Sequence, residues 1–374
     1  MVILLLVLGN PKMCEVVKEM RKTRYLTVNP TSPETNLIAE GARVIKKGGL
    51  VAFPTETVYG LGADGLNPDA VMKIFQVKGR PQENPLILHV YSLDQARELV
   101  SSWPPAAEAL AQKFLPGPLT LILPRAEGIP DLVTAGLPTV ALRYPSNNVA
   151  LALIEASGVP LAAPSANLSG RPSPTHPQHV LADLEGKIDI ILDGGPTEVG
   201  VESTILSLAD KRPVLLRPGG VTREEIEELL GEEIIVPDSV LHPDKNHREG
   251  AAPCPGIYFK HYSPRAQVIM VTGSPEEQVE KVKGFLLQNK ERPIGVLATS
   301  EHFPIYQNFN VPPVYLKALG SRSSPEEIAN HLFSAFRECD EAGAEVVLVE
   351  TVAPIGMGLA VMNRLCRAAE QHQI

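Results

Sequence analysis

Several short stretches of this chain set basic, hydroxyl and amide side chains in loops beside apolar runs, an arrangement suited to holding anions. Lys78-Gly79-Arg80-Pro81, followed by Asn84-Pro85 and by His89 at the end of LILH, places two cations two residues apart in a Gly/Pro loop. An ammonium and a planar guanidinium so placed can face one cleft and hold carboxylate or phosphate oxygens. Thr139 and Arg143 lie in TVALRYP, with Arg143 at the end of an apolar strand, where α/β sites collect. Pro164-Ser165-Ala166-Asn167, with Ser169 and Ser173 just beyond, puts small polar side chains on a tight turn whose backbone N–H groups can hold an anion. Ser203-Thr204 enters a strand after GGPTEVGVES, and Arg217 follows another in LLRPGG. Gly194, Gly195 and Gly200 permit close backbone approach to a ligand. Taken singly, these stretches read equally as a solvated basic loop, an edge histidine, an ordinary Ser/Asn turn and a floppy glycine loop.

Other chemistries fit less well. Gly60-Leu61-Gly62-Ala63-Asp64-Gly65 matches G-x-G-x-x-G, but a dinucleotide site needs those glycines at the turn between strand and helix. Here PTETVY separates them from the preceding strand, and the next helix opens only at Asn67-Pro68. There is no G-x-x-x-x-G-K-[ST] phosphate loop, no Cys/His/Asp cluster with metal-ligand spacing, and no persuasive Ser-His-Asp order.

The elements that must position these residues alternate between β and α. Leu37–Lys47 repeats apolar side chains at helical spacing and stops at Gly48, and 49–53 (GLVAF) reads as a short buried strand. Helices are predicted from Asn67-Pro68, near 93–101, over 105–114 and over 147–157; strands are predicted over 86–90, 119–123, 139–143 and 188–192. This mixture predicts an α/β domain with a twisted, mixed sheet over residues 24–236. The pattern then fails in PDSVLHPDKNHREGAAPCPG, so 237–264 is assigned as a linker. Strand-like 268–271, 294–299 and 346–351 alternate with helical 275–287, 325–341 and 358–370, which predicts a smaller C-terminal α/β domain over 265–374 with a partly parallel sheet.

At 374 residues, with 44% hydrophobic and 21% charged side chains, the chain suits two globular domains. Its 35 prolines punctuate the sequence with stiff turns. The formal charge is −9, and both parts are acidic: 21 basic against 27 acidic residues over 1–236, and 13 against 16 thereafter. That balance disfavours tight nonspecific nucleic-acid binding. Cys14, Cys254, Cys339 and Cys366 lie far apart, as free thiols in a reducing, cytoplasmic setting. Met1–Leu8 is apolar but lacks a basic flank and is too short to span a membrane. With Met13 and Met20 close behind, the first ~20 residues read as an upstream extension.

Taken together and in order, KKGGLVAFPTETVYGLGAD, KGRPQENPLILHV, PGPLTLIL, ALRYPSN, PLAAPSANLSGRPS, GVESTIL and LLRPGGVT resemble the L-threonylcarbamoyladenylate synthase family. The match spans roughly 36–236, and the tail from His261-Tyr262-Ser263-Pro264 resembles the extra domain of its longer branch. The resemblance implies a twisted sheet with a concave, positively lined cavity. It implies formation of L-threonylcarbamoyladenylate and pyrophosphate from L-threonine, bicarbonate or CO2 and ATP, for threonylcarbamoyladenosine in tRNA beside the anticodon. By motif, Thr57, His89, Arg143, Ala163 (through its backbone) and Ser203 would contact L-threonine. Arg80, Asn84, Thr139, Ser165, Ser173 and Arg217 would bind ATP, with Lys78 and Arg80 as the catalytic cations. Mg2+ would accompany ATP without a protein carboxylate cage, the linker would fold over the cavity, and the product would pass to a tRNA threonylcarbamoyl transferase. The competing readings are an RNA-binding module, opposed by the acidic balance and the lack of aromatic interleaving, and a carbamoyl-phosphate-using maturation factor, whose acyl-phosphatase and zinc-finger domains are not found here.

Overall fold

The structure is a computed structural model that describes residues 22–241, 252, 254, 262–370 and 372–374. Ten strands form the first sheet: β1 (Arg24–Thr27), β2 (Val51–Phe53), β3 (Gly60–Asp64), β4 (Ile87–His89), β5 (Leu119–Pro124), β6 (Thr139–Arg143), β7 (Leu161–Ala162), β8 (Ile190–Asp193), β9 (Thr204–Ser207) and β10 (Val214–Arg217). Their spatial order is β1-β8-β2-β3-β7-β4-β6-β5-β9-β10. Pairing is mixed, with β4/β6 and β5/β9 parallel and β5/β6 and β3/β7 antiparallel. Side chains alternate across the strands, so Val51 and Phe53 join one apolar layer while Leu50 and Ala52 join the other.

Beyond it lies a four-stranded sheet of β11 (Gln267–Val271), β12 (Ile294–Thr299), β13 (Tyr315–Gly320) and β14 (Val346–Glu350), in the order β11-β14-β12-β13. The second α/β domain expected is present, and all three of its strand pairings are parallel. Helices on both faces explain it: β12 and β14 are buried throughout and carry near-continuous apolar runs, as parallel strands between helices do.

Two further departures from the sequence reading have physical causes. The GLGADG glycines lie on and just after β3, in the middle of the sheet. A Cβ on Gly62 would stand 2.8 Å from the Phe53 ring, and one on Gly65 would stand 2.5 Å from Leu88. These glycines let neighbouring side chains close over the strand. Gly200 brings backbone against backbone, since a Cβ there would fall 2.3 Å from Asn330 Cα in the C-terminal domain. Within the expected linker, Asp238–Leu241 is a short helix, while 242–251, 253 and 255–261 lie outside the described residues, as do the apolar start and Cys14. Cys254 and Cys339 are buried and Cys366 is half-buried.

The domains share an apolar seam, in which Val58 and Val201 join the C-terminal core and Leu359 joins the N-terminal one. Polar contacts reinforce it. Arg337 donates to Asp183 at 2.9 Å and to the Pro172 carbonyl at 2.6 Å, and Asn330 donates to the Glu198 carbonyl at 2.6 Å.

Candidate active site

Strand register builds the site in rows. His89 of β4 pairs with Arg143 of β6, which pairs with Thr120 of β5. One step along, Ile87, Ala141 and Ile122 align on the same face, and Thr139 stands opposite Pro124 in a third row. A polar row is therefore followed by an apolar floor, where Cys254 packs with Ile87, Ile122, Ala141 and Ile205. Burial pushes the Cys254 thiol up to about 12, so it stays protonated.

Loops around the polar row close a cavity walled by Arg80, His89, Arg143, Ala163, Ser165, Asn167, Arg171, Ser173, Glu202, Arg217 and Tyr262, among others. The helix Pro68–Lys78 delivers one wall. Asn67 caps its start by accepting from the Asp69 and Ala70 N–H groups, and Gly79 ends it in a left-handed turn. Lys78 therefore turns inward, and Arg80 follows at the rim.

Arg143 sits at the centre, 4% exposed. Its Nη2 donates to Thr57 Oγ1 at 2.8 Å and Thr55 Oγ1 at 3.4 Å. The same nitrogen lies 2.9 Å from Glu56 Oε1 at an angle too poor for a hydrogen bond, so the two are charge-paired while both Glu56 oxygens lack donors. Arg143 Nε has no partner either. Arg143 and Asn167, whose Nε and Oδ1 atoms have no hydrogen-bond partner, both line the cavity, and buried polar groups left so are uncommon. His89 Nδ1 lies 3.3 Å from the Ile87 carbonyl. A carbonyl only accepts, so this contact selects the Nδ1–H tautomer and leaves the Nε2 lone pair. Burial, then Arg143, pushes the His89 pKa down to about 3, so the ring is neutral near pH 7.

The remaining cations sit opposite. Arg80 donates to the Asn84 and Pro85 carbonyls at 3.1 and 2.8 Å, and burial lowers its pKa to about 9, with Arg217 adding to the fall. Arg217 donates to the Ser203 carbonyl at 3.1 and 3.0 Å and to Ser203 Oγ at 3.2 Å. Its pKa too is lowered, first by burial. Cations held this way gain most when an anion enters.

Of the residues singled out from sequence, Arg80, His89, Arg143, Ala163, Ser165, Ser173 and Arg217 face the cavity. Thr57, Asn84 and Ser203 are buried beside those that do. Lys78 does not line it: its ammonium donates to the Ser165 carbonyl and, at 2.5 Å, to the Asn167 carbonyl, pinning the 165–167 turn. Thr139 lines an adjoining groove with Ile122 and Leu216, four residues and about 13 Å along β6 from Arg143. Sequence reasoning missed Glu56, Thr120, Arg171 and Glu202. Arg171 and Glu202 stand inside the quoted SGRPS and GVESTIL, and a cation or carboxylate interrupting such loops was the available signal. Tyr262 was noted only as part of the linker's end; it is buried with φ +66°, a backbone region costing a bulky residue about 1–3 kcal/mol.

Comparison with known proteins bears on this geometry. A family profile described as telomere recombination matches residues 43–219, and one described as threonylcarbamoyl-AMP synthase, C-terminal domain, matches 221–370. Threonylcarbamoyl-AMP synthase of Bacillus subtilis (strain 168) is 46% identical over 335 residues, covering 89% of this chain and 92% of its own. That of Pyrococcus abyssi is 46% identical over 331 residues, covering 88% and 92%. A crystal structure described as P. abyssi Sua5 complexed with L-threonine superposes with a TM-score of 0.87 at 44% identity, covering 94% of this chain and 99% of that one. In sequence, in two-domain architecture and in fold, the chain belongs to the threonylcarbamoyl-AMP synthase family.

Proposed function

We propose that this chain is a nucleotidyltransferase that joins L-threonine, bicarbonate-derived CO2 and ATP into L-threonylcarbamoyl-AMP, releasing pyrophosphate, for threonylcarbamoyladenosine formation in tRNA. The observation that carries this reading is the convergence of Arg143, Arg80, Arg171 and Arg217 on one buried cavity beside a neutral histidine. Arg143, through its unpartnered Nε edge, would take the threonine carboxylate. His89 Nε2 would accept from threonine's hydroxyl or amine. With its pKa at about 3, His89 is too weak a base to carry the proton and acts by positioning. The Ala163 N–H already donates to the Ile87 carbonyl at 3.0 Å, so its contact with substrate would come from the carbonyl.

Bicarbonate releases hydroxide to become CO2, the threonine nitrogen lone pair attacks the CO2, and the proton lost from nitrogen joins that hydroxide as water, giving a carbamate. A carbamate oxygen then attacks the α-phosphorus as the bond from that phosphorus to the β-bridging oxygen breaks, and pyrophosphate departs. Two anions must meet, and fixed guanidinium groups offset their repulsion without covalent catalysis. Arg80, Arg217 and Ser165 would hold the phosphates, with Asn84 beside Arg80, with Ser173, whose hydroxyl donates to Glu202, on the adjoining wall, and with the base reaching Thr139. Lys78 would serve by fixing the turn that carries Ser165. Among the described residues no group of three or more His, Cys, Asp or Glu could hold a metal ion, and Mg2+ is proposed to enter on the triphosphate. Among those residues no helix is long and apolar enough to cross a membrane, and we place the enzyme in the cytoplasm, passing its product to a tRNA transferase.

Pyrophosphate release tests the reading. It should require threonine and bicarbonate together, and mass spectrometry should find threonylcarbamoyl-AMP. Release that ignores either substrate would overturn it.

A further inference from the structure

One wall of the cavity carries a carboxylate. Glu202 is 7% exposed and faces the space proposed for a triphosphate, where an uncompensated negative charge would repel the substrate. Its compensation comes from the other domain. Arg364, in the C-terminal helix Met357–Ala369 and wholly buried, donates through Nε to Glu202 Oε2 at 2.9 Å. The other carboxylate oxygen, Oε1, accepts from the Ser173 hydroxyl. Arg364 Nη1 donates at 2.8 Å to the carbonyl of Pro218, the residue after Arg217, and the guanidinium lies 5.4 Å from the centre of the Tyr262 ring. One arginine therefore touches, or acts through its partner on, four features of the cavity wall: Glu202, Ser173, the chain beside Arg217, and Tyr262.

We propose that Arg364 is a positioning residue for ATP use: by neutralising Glu202 it keeps the carboxylate oriented toward Ser173 and keeps the cavity's net charge positive. The inference rests on the proposed ATP reaction. Burial works to keep Glu202 protonated, and Arg364 followed by Arg217 outweighs it, so the carboxylate is charged and its compensation matters. Without Arg364 the cation left acting on Glu202 is Arg217, which Glu202 would draw away from the phosphates. This gives the C-terminal domain a part in the chemistry of the first domain although none of its described residues from 265 onward lines the cavity.

Calorimetric titration of the full chain with MgATP, alongside steady-state kinetics, tests it. R364M is expected to weaken ATP binding and raise the ATP Michaelis constant roughly 10- to 50-fold, leaving the threonine constant within about threefold. Adding E202Q to R364M is expected to restore ATP binding, and R364K to keep most of it. Urea titration checks that each variant folds. Should R364M itself fail to fold, E202Q alone decides: it should bind ATP at least as tightly as wild type, and weaker binding would overturn the proposal. If R364M/E202Q stays as weak as R364M, or if R364M binds like wild type, Arg364 is only structural. Calorimetry reads this outcome without turnover, whereas loss of threonine-dependent pyrophosphate release in the wild type would sink the functional reading alone.

Discussion

Removing Arg143 separates substrate recognition from fold stability, because the side chain serves both. In R143A, Glu56 keeps a carboxylate about 5% exposed without its cation, and Thr57 loses a 2.8 Å donor. Breaking a buried pair in this one-sided way costs about 3–5 kcal/mol of stability. Independently, on the proposed reading, the threonine carboxylate would lose a buried, charge-assisted partner. That loss is worth about 2–5 kcal/mol, or roughly 30- to 5,000-fold in kcat/KM for threonine. The ATP Michaelis constant should move by less than about threefold, since Arg80 and Arg217 hold the opposite wall. Adding E56Q to R143A divides the two effects. The double variant should recover most of the urea stability, because the stranded charge is gone, while threonine use stays impaired. If both Michaelis constants rise equally in R143A, or if E56Q restores threonine use, Arg143 serves the fold and does not bind substrate.

R80A should raise the ATP Michaelis constant at least tenfold with little change in that for threonine, and wild-type ATP kinetics would count against its assignment. His89 should make the protein acid-sensitive. Its folded pKa of about 3 lies below the unfolded value near 6.5, so its contribution is complete above pH ~6.5 and is lost as pH falls toward 3. From pH 6.5 to 4.5 the wild type should lose about 2–3 kcal/mol more than H89Q in urea titrations, and parallel losses would refute the neutral buried ring. G62A should destabilise by about 1–3 kcal/mol, since its Cβ meets Phe53 at 2.8 Å. Unchanged stability, or binding of a dinucleotide by the wild type, would revive the glycine-loop reading of GLGADG.

The legibility of fold and site followed how local each signal was. Helices 105–114 and 147–157 were close to the mark because their proline and asparagine starts and glycine end are written within a few residues. The strand β3 was not visible, because six residues with three glycines carry turn chemistry by composition. Only Phe53 and Leu88, from other parts of the chain, explain why glycine is needed there. Strand β7 is two residues long, too short for any periodicity. At the site, Arg143 was legible as a cation ending an apolar strand. Thr120 joins it only through the β5–β6 register, and Glu202 acquires meaning only from Arg364, 162 positions away. Groups defined by a partner distant in sequence leave no local mark.

Charge shows the same division most sharply. A net −9 argues against a surface that neutralises many phosphates, yet it says nothing about an enclosed space. Arg80, Arg143, Arg171 and Arg217 meet in the cavity; against them stand Glu56, paired with Arg143, Asp183, shared by Arg171 and Arg337, and Glu202, offset by Arg364 from the other domain. The field in the cavity is therefore positive inside an acidic protein. Because Arg143 and Arg217 are buried there, a few fixed charges act more strongly than many would on the surface. Burial has already lowered the pKa values of Arg80 and Arg217, so the protein bears the desolvation of these cations before any ligand arrives. On the proposed reading, an entering triphosphate would meet donors already buried and oriented, and its binding would offset the desolvation that folding had imposed.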